Sequence, residues 1–248
     1  MKLHRVSVLH RERFGDHALI RYGWNGPRPG PGQFVMARPA AHGLDPFLAR
    51  PFFAHDHEDG AVSLLFEVRG RNTRLLAEDG EELLVSQPRG RGFQIGPGPV
   101  ALVGGGVWVA PLKLLSRRLE QAGVPHDTYI EVPETAPEDY AAWLAQGYPA
   151  ARFVYTTEPA GAPRRLFEEI GDLARYSALY VSGPEETLTA TKRATEGRVA
   201  AQLALRERMA CAEGSCYGCA VPVLEDGERS YARACVEGPV FLAKALAW

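Results

Sequence analysis

All four cysteines of this 248-residue chain fall between Cys211 and Cys235, spaced C-x4-C-x2-C-x15-C. Three thiolates on one tight loop, with a fourth returning from a distance, suit a [2Fe-2S] cluster, because each iron takes two thiolates and the loop must wrap the group. Gly214 and Gly218 allow that loop to turn backbone N–H groups toward inorganic sulfide. Four thiolates also satisfy a structural zinc ion, but zinc sites usually pair their ligands as two short knuckles. Only Cys216 and Cys219 form one here, so zinc stays open behind the cluster. Unliganded cysteines are the remaining alternative. A disulfide framework is not expected, since Met1-Lys2-Leu3-His4-Arg5 is followed by no apolar stretch of a secretory signal. The expected compartment is cytoplasmic.

The totals exclude several other chemistries. With 28 basic and 30 acidic residues and a net charge of -2, the chain carries no global footprint for nucleic acid. The longest apolar runs, such as Val100-Ala101-Leu102-Val103, are far shorter than a membrane span. No Ser-His-Asp or paired-carboxylate arrangement points to a hydrolase. His55 and His57 alternate as two ligands on a strand face could, but no third ligand lies near them in sequence.

The elements that must position the cysteines change character along the chain. From Leu3 to about Pro97, short alternating strands are broken by Gly and Pro: Arg5 to Leu9, His17 to Tyr22, Phe34 to Met36, Ala61 to Val68 and Glu82 to Val85. That pattern predicts a small antiparallel β-barrel. After Gly96-Pro97-Gly98-Pro99 the period shifts. Val100 to Val103 reads as a buried strand running into Gly104-Gly105-Gly106, and a helix opens at Pro111 with Leu112, Leu115 and Leu119 on one face and Gly123 behind it. Strands at Tyr129 to Val132, Phe153 to Tyr155 and Leu179 to Val181 alternate with helical patterns at Glu138 to Leu144, Leu166 to Leu173 and Glu185 to Glu196, which predicts a parallel α/β sheet. The expected fold class is therefore multi-domain β plus α/β. Its parts are an antiparallel barrel over 1–97, a nucleotide-binding-like α/β domain over 98–206 and a small iron-sulfur domain over 207–248.

Barrel, α/β half and cysteine loop in that order resemble the ferredoxin-reductase superfamily, and most closely the electron-transfer subunits of type B dihydroorotate dehydrogenase. The resemblance covers essentially the whole chain. It rests on Pro31-Gly32-Gln33-Phe34, on Arg50-Pro51-Phe52-Phe53 at the place of an Arg-Pro-x-Ser flavin motif, and on Gly70-Arg71-Asn72-Thr73 at the place of a G-x-G-T pyrophosphate turn. A short helix is expected to open behind that turn at Leu75 and Leu76. The resemblance also rests on Gly104 to Pro111 as a nucleotide turn, on Ser182-Gly183-Pro184 in place of Cys-Gly-Pro, and on Glu207 to Cys211. It implies FAD held by Arg50, Pro51, Phe52, Phe53, Gly70, Asn72 and Thr73, NAD at Gly104, Gly105 and Gly106, and a cluster on Cys211, Cys216, Cys219 and Cys235. It further implies a partner catalytic subunit, bearing FMN, that oxidises dihydroorotate and passes electrons through the cluster and FAD to NAD.

The departures carry expectations of their own. Phe53 lacks the hydroxyl of the matching serine. Asn72 replaces a glycine and is expected to accept the positive φ of the turn. Trp108 replaces the glycine that lets backbone approach a dinucleotide, so its indole is expected to disfavour NAD in the usual pose. Bland roles stand beside these: Phe52 and Phe53 as core, Arg50 as a solvated loop residue, the glycine run as a structural turn. Two other functions remain: a cluster-bearing relay or docking module that has lost NAD and even FAD, or a reductase subunit serving another oxidoreductase.

Overall fold

The computed structural model describes residues 1–41, 43, 45–157 and 163–248. The first half is a seven-stranded antiparallel sheet built from β1 (Leu3–Phe14), β2 (His17–Gly23), β3 (Phe34–Pro39), β4 (Arg50–Phe53), β5 (Asp56–Glu58), β6 (Ala61–Glu67) and β7 (Glu82–Ser86), in the order β4-β3-β7-β1-β2-β6-β5. Alternation explains the inner face: Ile20, Tyr22, Leu64, Phe66, Leu83 and Val85 are all buried in one core. Both edge strands, β4 and β5, escaped the sequence reading because they are only four and three residues long. They are joined by Ala54 and His55 alone. The Ala54 N–H bonds the Gln33 carbonyl and the His55 N–H bonds the Ser63 carbonyl, so the sheet closes into a barrel through its connection rather than a ladder.

The second sheet follows the order β10-β9-β8-β11-β12-β15, of which β8 (Val100–Gly105), β9 (His126–Pro133), β10 (Arg152–Thr156), β11 (Ala178–Ser182) and β12 (Ala200–Ala204) are parallel and β15 (Val240–Leu242) is antiparallel. Helices α2 (Leu112–Gln121), α3 (Glu138–Gly147), α4 (Pro163–Ile170) and α5 (Glu185–Thr195) make the crossovers. Leu112, Leu115 and Leu119 bury one face of α2 as their spacing predicts, and Gly123 takes φ +66 behind its end. Strand order reverses between β8 and β11, so the carboxyl ends of these two strands frame the crevice where ligands bind in such sheets.

The cysteine segment hangs on a hairpin, β13 (Ala220–Glu225) and β14 (Glu228–Arg233), turned by Asp226-Gly227 with both φ positive. It is not a free appendage. Its last strand, β15 (Val240–Leu242), pairs antiparallel with β12, so the 207–248 segment completes the edge of the α/β sheet.

The helix before β7, α1 (Arg71–Glu78), corrects one expectation. It opens at Arg71, with Gly70 as its cap, and not at Leu75. Asn72 is therefore a first-turn helical residue and needs no positive φ; Asp59, Ala212, Tyr217 and Asp226 are the non-glycine residues that have one among those described. The reason lies in Thr73, whose hydroxyl accepts the N–H groups of Arg69 and Gly70, each at 3.0 Å, and so starts the helix a turn early.

Candidate functional site

The four cysteines converge in two pairs. All are free thiols; Cys219 and Cys235 are buried, Cys211 is half-buried and Cys216 exposed. Cys211 lies within hydrogen-bonding reach of Cys216, and Cys219 of Cys235. Left-handed backbone at Ala212, Gly214 and Tyr217 coils the loop so that its N–H groups face inward. The Glu213 N–H donates to Cys211 Sγ and the Gly218 N–H to Cys216 Sγ, both at 3.4 Å. The Glu213 N–H leads the donors, with the Ser215 hydroxyl and the Cys216 N–H behind it, that hold the Cys211 thiol down at about 5. Burial, followed by the neighbouring Cys219, pushes Cys235 up to about 12. Two sulfur atoms crowded in an apolar setting tolerate one negative charge between them unless a cation accompanies them.

This arrangement fits a two-iron cluster better than zinc. Zinc needs all four sulfurs about 2.3 Å from one point. The two thiol pairs match one pair per iron. Long-range clamps fix the loop. Arg89 donates to the Ala212 carbonyl at 2.8 Å and to Glu213 at 3.1 Å, and the N-terminal ammonium reaches Glu213 at 2.9 Å. From the other side Arg233 donates to the Gly214 carbonyl at 3.1 Å and pairs with Glu237.

Next to the cradle lies a slot between barrel and α/β sheet. Phe34, Pro51, Phe53 and Phe66 line one side, Val107, Trp108 and Ala110 another, and Leu205, Arg206, Glu207 and Met209 lead from it to Cys211 two residues later. Phe52 lines the slot too, but the two neighbours pack differently. Phe52 belongs to the barrel core, 5.0 Å from the Phe66 ring, while Phe53 is half-buried where three cores meet. Arg50 is exposed at the start of β4, whose outer edge carries no ladder. The first helical bond of α1 runs from the Arg74 N–H to the Gly70 carbonyl, so the N–H groups of Arg71, Asn72 and Thr73 have no helical acceptor. Asn72 is buried, donates to the Leu48 carbonyl at 3.3 Å and has an unpartnered Oδ1. An apolar slot, a free strand edge, an exposed arginine and a helix N-terminus are groups that could hold a flavin dinucleotide, an aromatic ring system joined to a pyrophosphate.

The crevice at the strand-order reversal holds the other predicted motif. Gly104 to Trp108, Glu131 to Pro133, Ser182 to Pro184 and Thr187, with Glu67 and Arg69 from the barrel, line a cavity of about 230 Å³. The glycines divide their work. A Cβ on Gly104 would meet Leu112 at 2.7 Å and one on Gly105 the Glu131 carbonyl at 2.6 Å, so packing dictates both; Gly106, at φ +49, opens to free space. Ser182 Oγ and Thr187 Oγ1 are buried without partners, as ligand-binding hydroxyls at the start of a helix would be. Glu131 and Trp108 oppose them. The Glu131 carboxylate, 5% exposed and accepting from Thr156 Oγ1 at 3.4 Å, puts a negative charge in the lining, and the indole narrows the end toward the flavin slot. With the Trp108 indole in this position, the crevice does not fit a whole dinucleotide.

Sequence reasoning missed Glu131, Arg89, Arg206 and Arg233. Glu131 had a local signal, an acid at the end of the strand paired beside the glycine turn; the arginines act on residues remote in sequence. His55 is buried, and its Nδ1 meets the Ala110 carbonyl at 3.0 Å at the end of the turn carrying Trp108.

Comparison with known proteins adds three findings. Residues 206–247 match the family model for the iron-sulfur cluster binding domain of dihydroorotate dehydrogenase B. The chain is 34% identical, over 97% of its length and 96% of the relative's, to the dihydroorotate dehydrogenase B (NAD(+)) electron transfer subunit of Caldanaerobacter subterraneus subsp. tengcongensis, and 32% identical over 86% of its length and 85% of the relative's to that of Geobacillus thermodenitrificans. Among solved structures it resembles an NADH-dependent reduced ferredoxin-NADP oxidoreductase, with TM-score 0.76 and 23% identity over 98% of this chain and 90% of the other. It also resembles phthalate dioxygenase reductase, with TM-score 0.64 and 15% identity over 94% and 77%. The structural likenesses establish the reductase fold.

Proposed function

The chain belongs to the family of dihydroorotate dehydrogenase B electron transfer subunits, and from that membership we propose that it conducts electrons from a separate catalytic subunit, which oxidises dihydroorotate for pyrimidine biosynthesis, toward NAD. The observation that carries the proposal is continuity: the segment from Leu205 to Met209 lines the flavin slot and runs directly into the first cluster ligand. Cys211, Cys216, Cys219 and Cys235 hold the [2Fe-2S] cluster, and Arg50, the β4 edge, Phe53 and the α1 N-terminus hold FAD. When bound, the cluster supplies one-electron exchange and the flavin converts between one-electron and two-electron steps. The inward N–H groups of residues 213, 216 and 218 lower the charge cost of reduction at the sulfurs, while Phe34, Phe53 and Phe66 keep water from the slot. Among the described residues no helix is long and apolar enough to cross a membrane, and we place the chain in the cytoplasm as part of a hetero-oligomer with the FMN-bearing catalytic subunit.

Anaerobically prepared protein tests this. It should contain iron and sulfide in equal amounts, release FAD on denaturation, and be reduced by dihydroorotate only when the catalytic subunit is added. In Cys219→Ser the iron and sulfide should disappear while FAD and the sheets remain. Zinc in the cradle, or reduction of the isolated chain by dihydroorotate, overturns the reading. Trp108 and Glu131 favour a second reading, a relay module that keeps the partner and cluster but does not bind NAD.

A further inference from the structure

The nucleotide crevice and the flavin slot are separate cavities, and among the described residues only Val107 and Trp108 line both. Val107 is buried and Trp108 is half-buried, so the indole forms the accessible part of the partition. On the wall shared by crevice and slot, this side chain is what a nicotinamide meets. The indole is held from across the molecule. The Arg206 guanidinium lies 5.4 Å from its ring centroid, and Arg206 pairs with Glu67 at 3.3 Å. Glu67, 15% exposed, also takes Arg69 at 2.9 Å. A barrel carboxylate, a linker arginine and the α/β turn thus meet on one ring.

The backbone beneath the ring is held in place. Trp108 sits in a short 3-10 turn (Gly106–Val109). Tyr140 Oη donates to the Gly106 carbonyl at 2.9 Å, Tyr148 Oη donates to the Val109 carbonyl at 3.2 Å, and His55 Nδ1 meets the Ala110 carbonyl at 3.0 Å. A swing of the indole is therefore a rotation of the side chain about its own bonds, not a movement of the turn.

We infer that Trp108, latched by Arg206 and Glu67, is a selectivity gate that bars the nicotinamide half of a dinucleotide from the flavin slot until the indole swings aside. The inference rests on the function proposed above, and it deepens it by naming what limits acceptor access. A gate closed nine-tenths of the time weakens apparent affinity about tenfold. Only ligands that must pass the indole feel this; ADP-ribose, which lacks nicotinamide, does not.

The test is calorimetric titration of FAD-loaded and cluster-loaded protein with NAD+ and, separately, with ADP-ribose. Trp108→Ala should tighten NAD+ at least about tenfold and shift ADP-ribose by less than about threefold. Glu67→Gln loosens the latch but also removes a charge from the crevice lining, so it should shift both ligands and tighten NAD+ at least about threefold more than ADP-ribose; that ratio serves if the first variant is unstable. Equal NAD+ affinity in natural and variant proteins, or equal shifts for both ligands, overturns the gate. Loss of FAD, iron or dihydroorotate-driven reduction in the natural protein overturns the proposed function instead, so the two failures are distinguishable.

Discussion

Arg89→Ala should make the protein lose its cluster about 30-fold faster than the natural chain, and the figure follows from what the guanidinium touches. Nη1 donates to the Ala212 carbonyl at 2.8 Å. Ala212 is 1% exposed, so water does not replace the lost donor, and an acceptor left unpaired in such a place costs about 1–3 kcal/mol. The contact with Glu213 adds little: that carboxylate is exposed, keeps the N-terminal ammonium as a second partner, and interacts through screened solvent. Arg89 Nε is buried without a partner, and removing it returns part of the loss. The balance is about 2 kcal/mol, which is about 30-fold in the population of an opened loop.

The assay is decay of visible absorbance under anaerobic conditions in excess chelator, with circular dichroism as the control for folding. Because the carbonyl contact dominates, the acceleration should persist at high salt. A decay within threefold of the natural rate refutes the claim that the barrel clamps the loop. An acceleration that vanishes in salt shifts the credit to the exposed pair.

Two further outcomes follow from buried features. Burial holds the His55 pKa down to about 4, against about 6.5 in the unfolded chain. The unfolded state therefore binds more protons between those values, so the contribution is fully present above pH 6.5 and is lost as pH falls toward 4. It amounts to on the order of 3 kcal/mol. His17 shifts in the same direction, so His55→Gln, which keeps an N–H for Ala110, should flatten the acid limb in urea unfolding without abolishing it; an unchanged slope counts against His55. Gly92→Ala should lower the melting midpoint by about 6–12 °C, since its Cβ would lie 2.1 Å from the Pro31 carbonyl oxygen and overpacking against backbone costs about 3 kcal/mol. A midpoint equal to that of the natural protein would show that the turn yields.

Legibility in the sequence tracked the range of the physics involved. The cluster ligands could be read because their spacing is itself the chemistry, and the long strands because alternation repeats along them. Strand β12 was invisible: Ala200-Ala201-Gln202-Leu203-Ala204 has no β-branched residue, and its strand character comes from β11 on one side and β15 on the other. The start of α1 was misplaced because the apolar period begins at Leu75, while a single threonine hydroxyl satisfies donors earlier in the chain. Arg89 and Ala212 are 123 positions apart, and no local pattern announces their contact.

The same distinction separates the two departures from the family pattern that mattered most before the fold was known. Asn72 looked like a strained replacement for a turn glycine, and the helix removes the difficulty, because a first-turn residue needs ordinary backbone angles and offers the same N–H to an anion. Trp108 looked like a blocked backbone approach, and the fold relocates the problem. Gly106 still opens to free space, so the turn keeps a face for phosphate; the indole stands instead on the wall toward the flavin slot. A glycine replaced where only backbone conformation was at stake is absorbed. One replaced where a large ring faces two cavities changes what can pass between them, and Arg206 and Glu67 are spent on holding that ring in place.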